Sequence, residues 1–345
     1  MKIHLRLPLF LLFVFFSLSL SAQDIHLSHI HASPTVLNPA MTGLYKGDLR
    51  LIANTKSQWQ SVTNGYKTVV GSADMKVAVR ENGDVIGGGI QLFSDRAGDL
   101  DFTTRSVSLS TSYLKSLDNS GLNMLAVGLQ GGFVNNSVDF SKIVAFDMEP
   151  AIAEGINNQV GYFDISGGIS WFYGFNHNHS IHIGLSAFHL NKPDVSILRD
   201  NSTDAGVALY RRFVIHGGSD FRLGRKSFLK PSFMISNQGP HREFTVGTFW
   251  KYLTFKRYSN NPGAALYVGG WLRWHFEKNF SGTDAIIAAV RLDLEDLFFT
   301  FSFDLNISTL SNVSYGRGGP ELSIVKILHF NRSSKRAHKV ECPDF

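Results

Sequence analysis

Residues 299–308 alternate without a break: Phe299, Phe301, Phe303, Leu305 and Ile307 at odd positions, Thr300, Ser302, Asp304, Asn306 and Ser308 at even ones. A β-strand points successive side chains to opposite faces, so this segment has one apolar face and one polar face. The same code recurs along the chain. Val107, Leu109 and Tyr113 alternate with Ser106, Ser108, Ser110 and Ser112; Ile181, Ile183, Leu185 and Ala187 alternate with His182, Gly184 and Ser186. Ile286, Ala288, Val290, Leu292 and Leu294 alternate with Arg291 and Asp293.

This periodicity predicts strands at Leu49–Gln58, Lys67–Val79, Val85–Ser94, Thr103–Leu117 and Asn123–Asn135. After a polar loop from about Ser137 to Asn158 come Gly161–Phe175, Ser180–Asn191, Ala205–His216 and Phe228–Ser236. Phe244–Lys256, Ala264–Glu277, Asp284–Glu295, Phe298–Thr309 and Glu321–Phe330 complete the set. Connections such as Glu81-Asn82-Gly83-Asp84 and Asp118-Asn119-Ser120-Gly121 have turn composition. The fold class is therefore all-β: a transmembrane antiparallel barrel of about 14 strands (roughly 12–16), with lipid outside and a polar, filled or plugged lumen. A soluble sandwich also alternates, but its strands average about five or six residues.

The ends supply the compartment. Lys2 and Arg6 precede an apolar run from Leu9 to Leu20, and Ser19-Leu20-Ser21-Ala22 has small-residue cleavage chemistry. We expect a leader over residues 1–22, with Gln23 as the mature start; the apolar run is short of the ~20 residues a spanning helix needs. Residues 23–46 are expected as a periplasmic N-terminal segment, 47–330 as the barrel and 331–345 as a C-terminal periplasmic tail. A mean hydropathy of −0.02 fits the averaging of two faces. The formal charge of +5 includes Lys2 and Arg6, and the rest is scattered, which argues against nucleic-acid binding. The one cysteine, Cys342, excludes an intramolecular disulfide.

Candidate chemistry is sparse. His26, His29 and His31 have spacing that can reach one ion on a strand, but only Asp24 accompanies them, and polar residues on an extended segment are the plainer reading. Glu295-Asp296 and Asp99/Asp101 sit among turn residues. There is no GxSxG, and Gly87-Gly88-Gly89 is too short and strand-like to cradle phosphate. We expect no catalytic residues, no cofactor and no metal. The expected lumen residues are His182, Arg273, His275, Arg291 and Asp293, with Asp304 and Asn306; opposite charges inside a barrel can line a pore or pair and fill it.

Specific stretches carry a resemblance. Gln23-Asp24-Ile25-His26-Leu27-Ser28, then Leu37-Asn38-Pro39-Ala40-Met41-Thr42-Gly43, resembles the opening of the PorP/SprF outer-membrane family of Bacteroidetes, with Leu27 and His29 departing from its pattern. Gln58-Trp59, Tyr66-Lys67-Thr68, Asp95-Arg96-Ala97-Gly98 and Asp139-Phe140 continue the likeness. So do Asp304 and Asn306, Glu321 after Gly318-Gly319-Pro320, and the ending Cys342-Pro343-Asp344-Phe345. The resemblance implies a non-enzymatic component of the type IX secretion system in the outer membrane. Its implied partners are outer-membrane lipid, the C-terminal domain of a secreted gliding-type adhesin, and components of the secretion apparatus. The rival readings are a pore or hydrophobe transporter, a soluble secreted adhesin and an outer-membrane enzyme.

Overall fold

The structure is a computed structural model that describes residues 27–28, 32–58, 65–80, 82–118, 120–139, 158–176, 178–197, 206–254, 264–277, 280–307 and 317–330. Its wall consists of β1 (Leu49–Gln58), β2 (Tyr66–Val79), β3 (Val85–Ala97), β4 (Phe102–Ser116) and β5 (Asn123–Ser137). Then follow β6 (Gln159–Asn176), β7 (His179–Phe188), β8 (Arg212–Arg222), β9 (Ser227–Gln238) and β10 (His241–Leu253). β11 (Ala265–Glu277), β12 (Phe280–Leu294), β13 (Leu297–Asn306) and β14 (Arg317–Leu328) complete it. Each strand pairs antiparallel with its neighbour in sequence, and β14 returns to β1, with Leu49 opposite Leu328, to close the barrel.

The alternation dictates which face is which. Leu109, Leu129 and Phe133 point outward with 65%, 63% and 57% of their surface open, whereas Arg50, Asp74 and Asp304 point inward and are buried. That inverts a soluble protein and fits a wall with lipid on its outside, its strands hydrogen-bonded to one another around a closed barrel. No helix among the described residues is long and apolar enough to cross a membrane. On the outer face near one rim Trp171 stacks on Tyr173, which meets Phe175 edge-on, and Trp250 lies against Tyr252. Such aromatic bands mark the lipid–water boundary. The longest connections, 138–158 and 189–211, lie at the opposite rim from the ends of β1 and β14. Long loops face outward and short turns face the periplasm in such barrels.

Thirteen expected strands fall within four residues of their observed ends. The eighth is displaced, from Ala205–His216 to Arg212–Arg222. Val207 and Leu209 mimic strand alternation but belong to a loop hairpin, in which Val195 N–H donates to Val207 O and Leu209 N–H to Pro193 O.

Candidate functional site: a strap inside the lumen

The segment expected at the periplasmic side runs, in its described part, inside the barrel. Residues 32–45 form a strap made of one helical turn, α1 (Pro34–Leu37), and a 3-10 turn, Pro39–Met41. Both turns begin with proline, whose ring presets the backbone where no amide donor is needed. Asn38 stands before Pro39 in extended conformation (φ −159°, ψ 120°), as clash with the proline ring requires, and its side chain accepts the Ala40 amide. Gly43 at φ +73° then turns the chain toward β1.

Asn38 is fully buried and acts as the hub. Its Nδ2 lies 3.0 Å from Ser170 Oγ, 3.1 Å from Ile169 O, 3.1 Å from His216 Nε2 and 3.3 Å from Leu185 O, joining β6, β7 and β8. An amide NH₂ donates, so His216 meets it with the unprotonated Nε2. Further along, Ser186 Oγ donates to Leu37 O, Ser112 Oγ to Thr42 O and Thr42 Oγ1 to Ser110 Oγ. Arg50 grips Asp74 through Nε and Nη2 at 2.9 and 2.8 Å and also donates to Met41 O; Gly43 N–H and Tyr45 OH donate to Asp74 as well. Burial pushes the Tyr45 phenol pKa above its ordinary value, and the Asp74 carboxylate adds to the shift.

The wall makes room for this strap with glycine. A Cβ at Gly168 would overlap Asn38 Oδ1, one at Gly128 the backbone of Pro39 and Ala40, and one at Gly87 the Thr42 carbonyl. Two apolar clusters seal it. Ala40 and Leu44 pack with Val85, Leu114, Met124, Ala126 and Phe172; Leu37 and Met41 pack with Phe188, Val214 and Met234.

The other side of the lumen fills itself. Lys56 Nζ is 3.4 Å and Arg273 Nη1 3.1 Å from Asp304 Oδ2, and Arg273 Nε bonds Asp284 at 2.7 Å. Glu321 accepts Asn54 Nδ2 at 2.9 Å and the Ser28 amide at 2.7 Å, which ties the start of the described chain to β14. Below this network Phe249, Tyr267, Trp271 and Ile287 form an apolar block. Arg291 pairs with Asp293 at 2.6 Å and sits over the Tyr267 and Phe298 rings at 4.9 and 4.6 Å.

The expected residues therefore separate. Asn38, Pro39, Ala40 and Gly43 form the strap; Asp304, Glu321 and Arg273 meet in the ion network; Arg291 and Asp293 pair apart from it. His182 lies 6.3 Å from His216 and His275 5.9 Å from His241, ring to ring, both on the inner face. Asn306 continues the inner face of β13 opposite Ala285. Asp95 accepts Thr68 Oγ1 on the inner wall, and Gly98 (φ +69°) turns β3 into β4. Asp139 N–H donates to Leu100 O at the same rim. His26, His29, His31, Trp59, Phe140, Cys342, Pro343 and Phe345 lie outside the described residues. Sequence reasoning missed Arg50, Lys56, Asp74 and Glu243, although each stands on the inner phase of its strand. Among the described residues no three His, Cys, Asp or Glu side chains come together as a metal set.

No match was found among curated protein sequences. The chain is similar in structure to the P. putida toluene transporter TodX (9% identity, 85% of this chain and 93% of that one, TM-score 0.44). It is also similar to BamA from Haemophilus ducreyi lacking POTRA domains 1–3 (10%, 81% and 70%, TM-score 0.42) and to a bacterial polysaccharide outer membrane secretin (8%, 83% and 100%, TM-score 0.41). These likenesses say nothing of what this chain binds. A family model gives more: the one described as type IX secretion system membrane protein PorP/SprF matches residues 19–325, which takes in the strap and nearly all of the wall that holds it. The chain belongs to that family and resides in the outer membrane.

Proposed function

We propose that this barrel is a non-enzymatic docking component of the type IX secretion system. It anchors a secreted, gliding adhesin-like surface protein at the outer membrane, or links the secretion apparatus to that membrane. The observation that carries the reading is the strap, whose Asn38, Ala40, Met41 and Thr42 are buried to 1% or less and bonded into the wall. Solute passage on that side of the lumen requires the strap to leave, so the barrel offers partners its rims rather than a path. The longest connections in sequence, 138–158 and 189–211, both join strands at the outer rim, and the partner contacts are loop packing or strand addition.

The test is gentle detergent extraction of tagged protein from native outer membranes, with mass spectrometry of what remains bound. Recovery of a surface protein carrying a type IX sorting domain, or of secretion-apparatus components, is the expected result. A monomer without partners in several detergents, with stepwise conductance in planar bilayers, would replace docking with the pore reading.

A further inference from the structure

The lipid-facing side of β2–β4 changes character at the outer rim. On β2 the outward positions are apolar from Val69 to Val79, with Val69 44% and Val77 59% exposed. Ten steps of ~3.3 Å along a strand tilted by about 40° rise roughly 25 Å, the height of a barrel's apolar band. Lys67 therefore stands at the outer edge of that band. Two more cations join it. Arg96 of β3 lies directly opposite Lys67, and Arg105 of β4 lies opposite Ser94, two residues along β3 from Arg96. All three are exposed. Arg96 uses Nε and Nη2 on Asp101 in the β3–β4 turn, where Asp99 also stands, and keeps Nη1. Lys67 and Arg105 form no ion pair with a described residue, and no carboxylate occupies an outward position of β1–β5. Like charges set directly across a strand pair repel, a cost that an anion between them removes.

Just inside the band the wall is shaped for hydrocarbon. Leu92, Val107 and Phe133 form the next outward row, each at least half exposed. The Phe133 and Phe163 rings lie across Gly161 and Gly131, where a Cβ would come within 2.7 and 3.2 Å of them, so the glycines keep this panel flat. We propose that this corner binds the phosphorylated head group of an outer-leaflet glycolipid. Its phosphate meets Lys67, Arg96 and Arg105, and an acyl chain follows Leu92, Val107 and Phe133. Ammonium and guanidinium groups both donate charge-assisted hydrogen bonds to phosphate. The position selects a lipid over a soluble anion: the cations face sideways into the membrane, at its boundary, with the apolar panel continuous beneath them. Arg242 on β10 supplies the contrast, an outward cation whose cross-strand neighbours are Asn237 and Phe276.

The full barrel, purified in detergent from outer membranes, is titrated with diphosphoryl lipid A, and native mass spectrometry reads the lipid bound per barrel. Combining Lys67→Gln, Arg96→Gln and Arg105→Gln weakens binding about tenfold, and Arg105→Gln alone about threefold. Arg242→Gln leaves it unchanged. The wild-type barrel holds dephosphorylated lipid A no better than the triple variant holds lipid A, and excess inorganic phosphate does not displace the lipid. The changed side chains lie on the exposed outer face, and heat-modifiable mobility checks that each variant is closed. Undiminished lipid A binding by the triple variant, equal binding of the dephosphorylated lipid, or displacement by inorganic phosphate overturns the proposal. If the triple variant keeps its lipid but loses a co-purifying surface protein, the patch belongs to protein docking instead.

Discussion

The two sides of the lumen are filled by different means. On β3–β7 the inward positions beneath the strap backbone are small: Gly87, Ser110, Ser112, Gly128, Gly168, Ser170 and Ser186. They leave a trench that a second piece of backbone occupies, and their hydroxyls satisfy its carbonyls. On β10–β14 and β1 the inward face carries many long side chains: Glu243, Phe249, Tyr267, Trp271, Arg273, Arg291, Asp304 and Lys56. These meet across the lumen and satisfy one another. A barrel of this size cannot close its interior with one layer of average side chains. The chain solves this by spending large residues on one side and a spare segment on the other.

The comparison breaks most visibly if the spare segment is removed. Deleting residues 28–45 removes Leu37, Met41 and Leu44, each worth roughly 2–5 kcal/mol when deleted from a packed interior. It also leaves Asp74, His216 and the trench hydroxyls without partners on the strap. That loss is comparable to the whole stability of a typical domain. In refolding from urea into detergent, we expect the heat-modifiable fraction to fall at least tenfold, and the folded remainder to conduct in stepwise fashion. A closed barrel at full yield would show that the strap is not what fills its side.

The self-filled side has its own breaking point, one step smaller. Arg273→Met leaves Asp284 without its ion pair and Asp304 with Lys56 alone, in a site where Arg273 and Asp304 are both buried. Removing one partner of a buried ion pair typically costs about 3–5 kcal/mol. The urea midpoint of the heat-modifiable band should drop accordingly, and Asp284→Asn in the same chain, which neutralises the carboxylate left without its ion pair, should restore part of it. If Arg273→Met alone is neutral, the network is hydrated packing rather than structure.

Legibility followed the same divide. The wall was readable because lipid enforces strict alternation, and Phe299 to Ser308 could hardly fold otherwise. It failed at β8, where Gly217 and Ser219 occupy outward positions that alternation reserves for apolar residues. The outer cover there comes from the next strand, since a Cβ at Gly217 would run into the Phe233 ring. Asn38-Pro39 was readable as an extended turn ahead of β1, but local sequence does not say on which side of the wall such a turn lies. The signal that points inside is distributed over β3–β7, in the run of inward glycines and serines that fill no volume themselves. Lys56 and Arg50 were overlooked for a related reason. Each is a lone charge on the polar face of a strand; closure of the barrel brings Asp304 to Lys56, and the β1–β2 register sets Asp74 directly opposite Arg50.

That distributed signal gives the sharpest version of the comparison, though the smallest in energy. Gly128→Val and Gly71→Val make the same chemical change in neighbouring parts of the wall. At Gly71, on the outer face of β2, an added Cβ meets nothing within 4 Å, and a β-branched residue is at home on a strand. At Gly128 it meets the backbone of Pro39 and Ala40, which cannot rotate away as a side-chain tip would. The strap must shift, which strains the Asn38 hub and the packing of Ala40 against Met124 and Phe172. Overpacking of this kind costs about 1–3 kcal/mol. Urea midpoints of the two variants, measured side by side, should therefore move in opposite directions or differ by that amount. The decisive control is the strap-deleted chain: if the trench exists to hold the strap, Gly128→Val costs nothing once the strap is gone. A penalty that persists there would mean that the inward glycines serve the curvature of the wall instead.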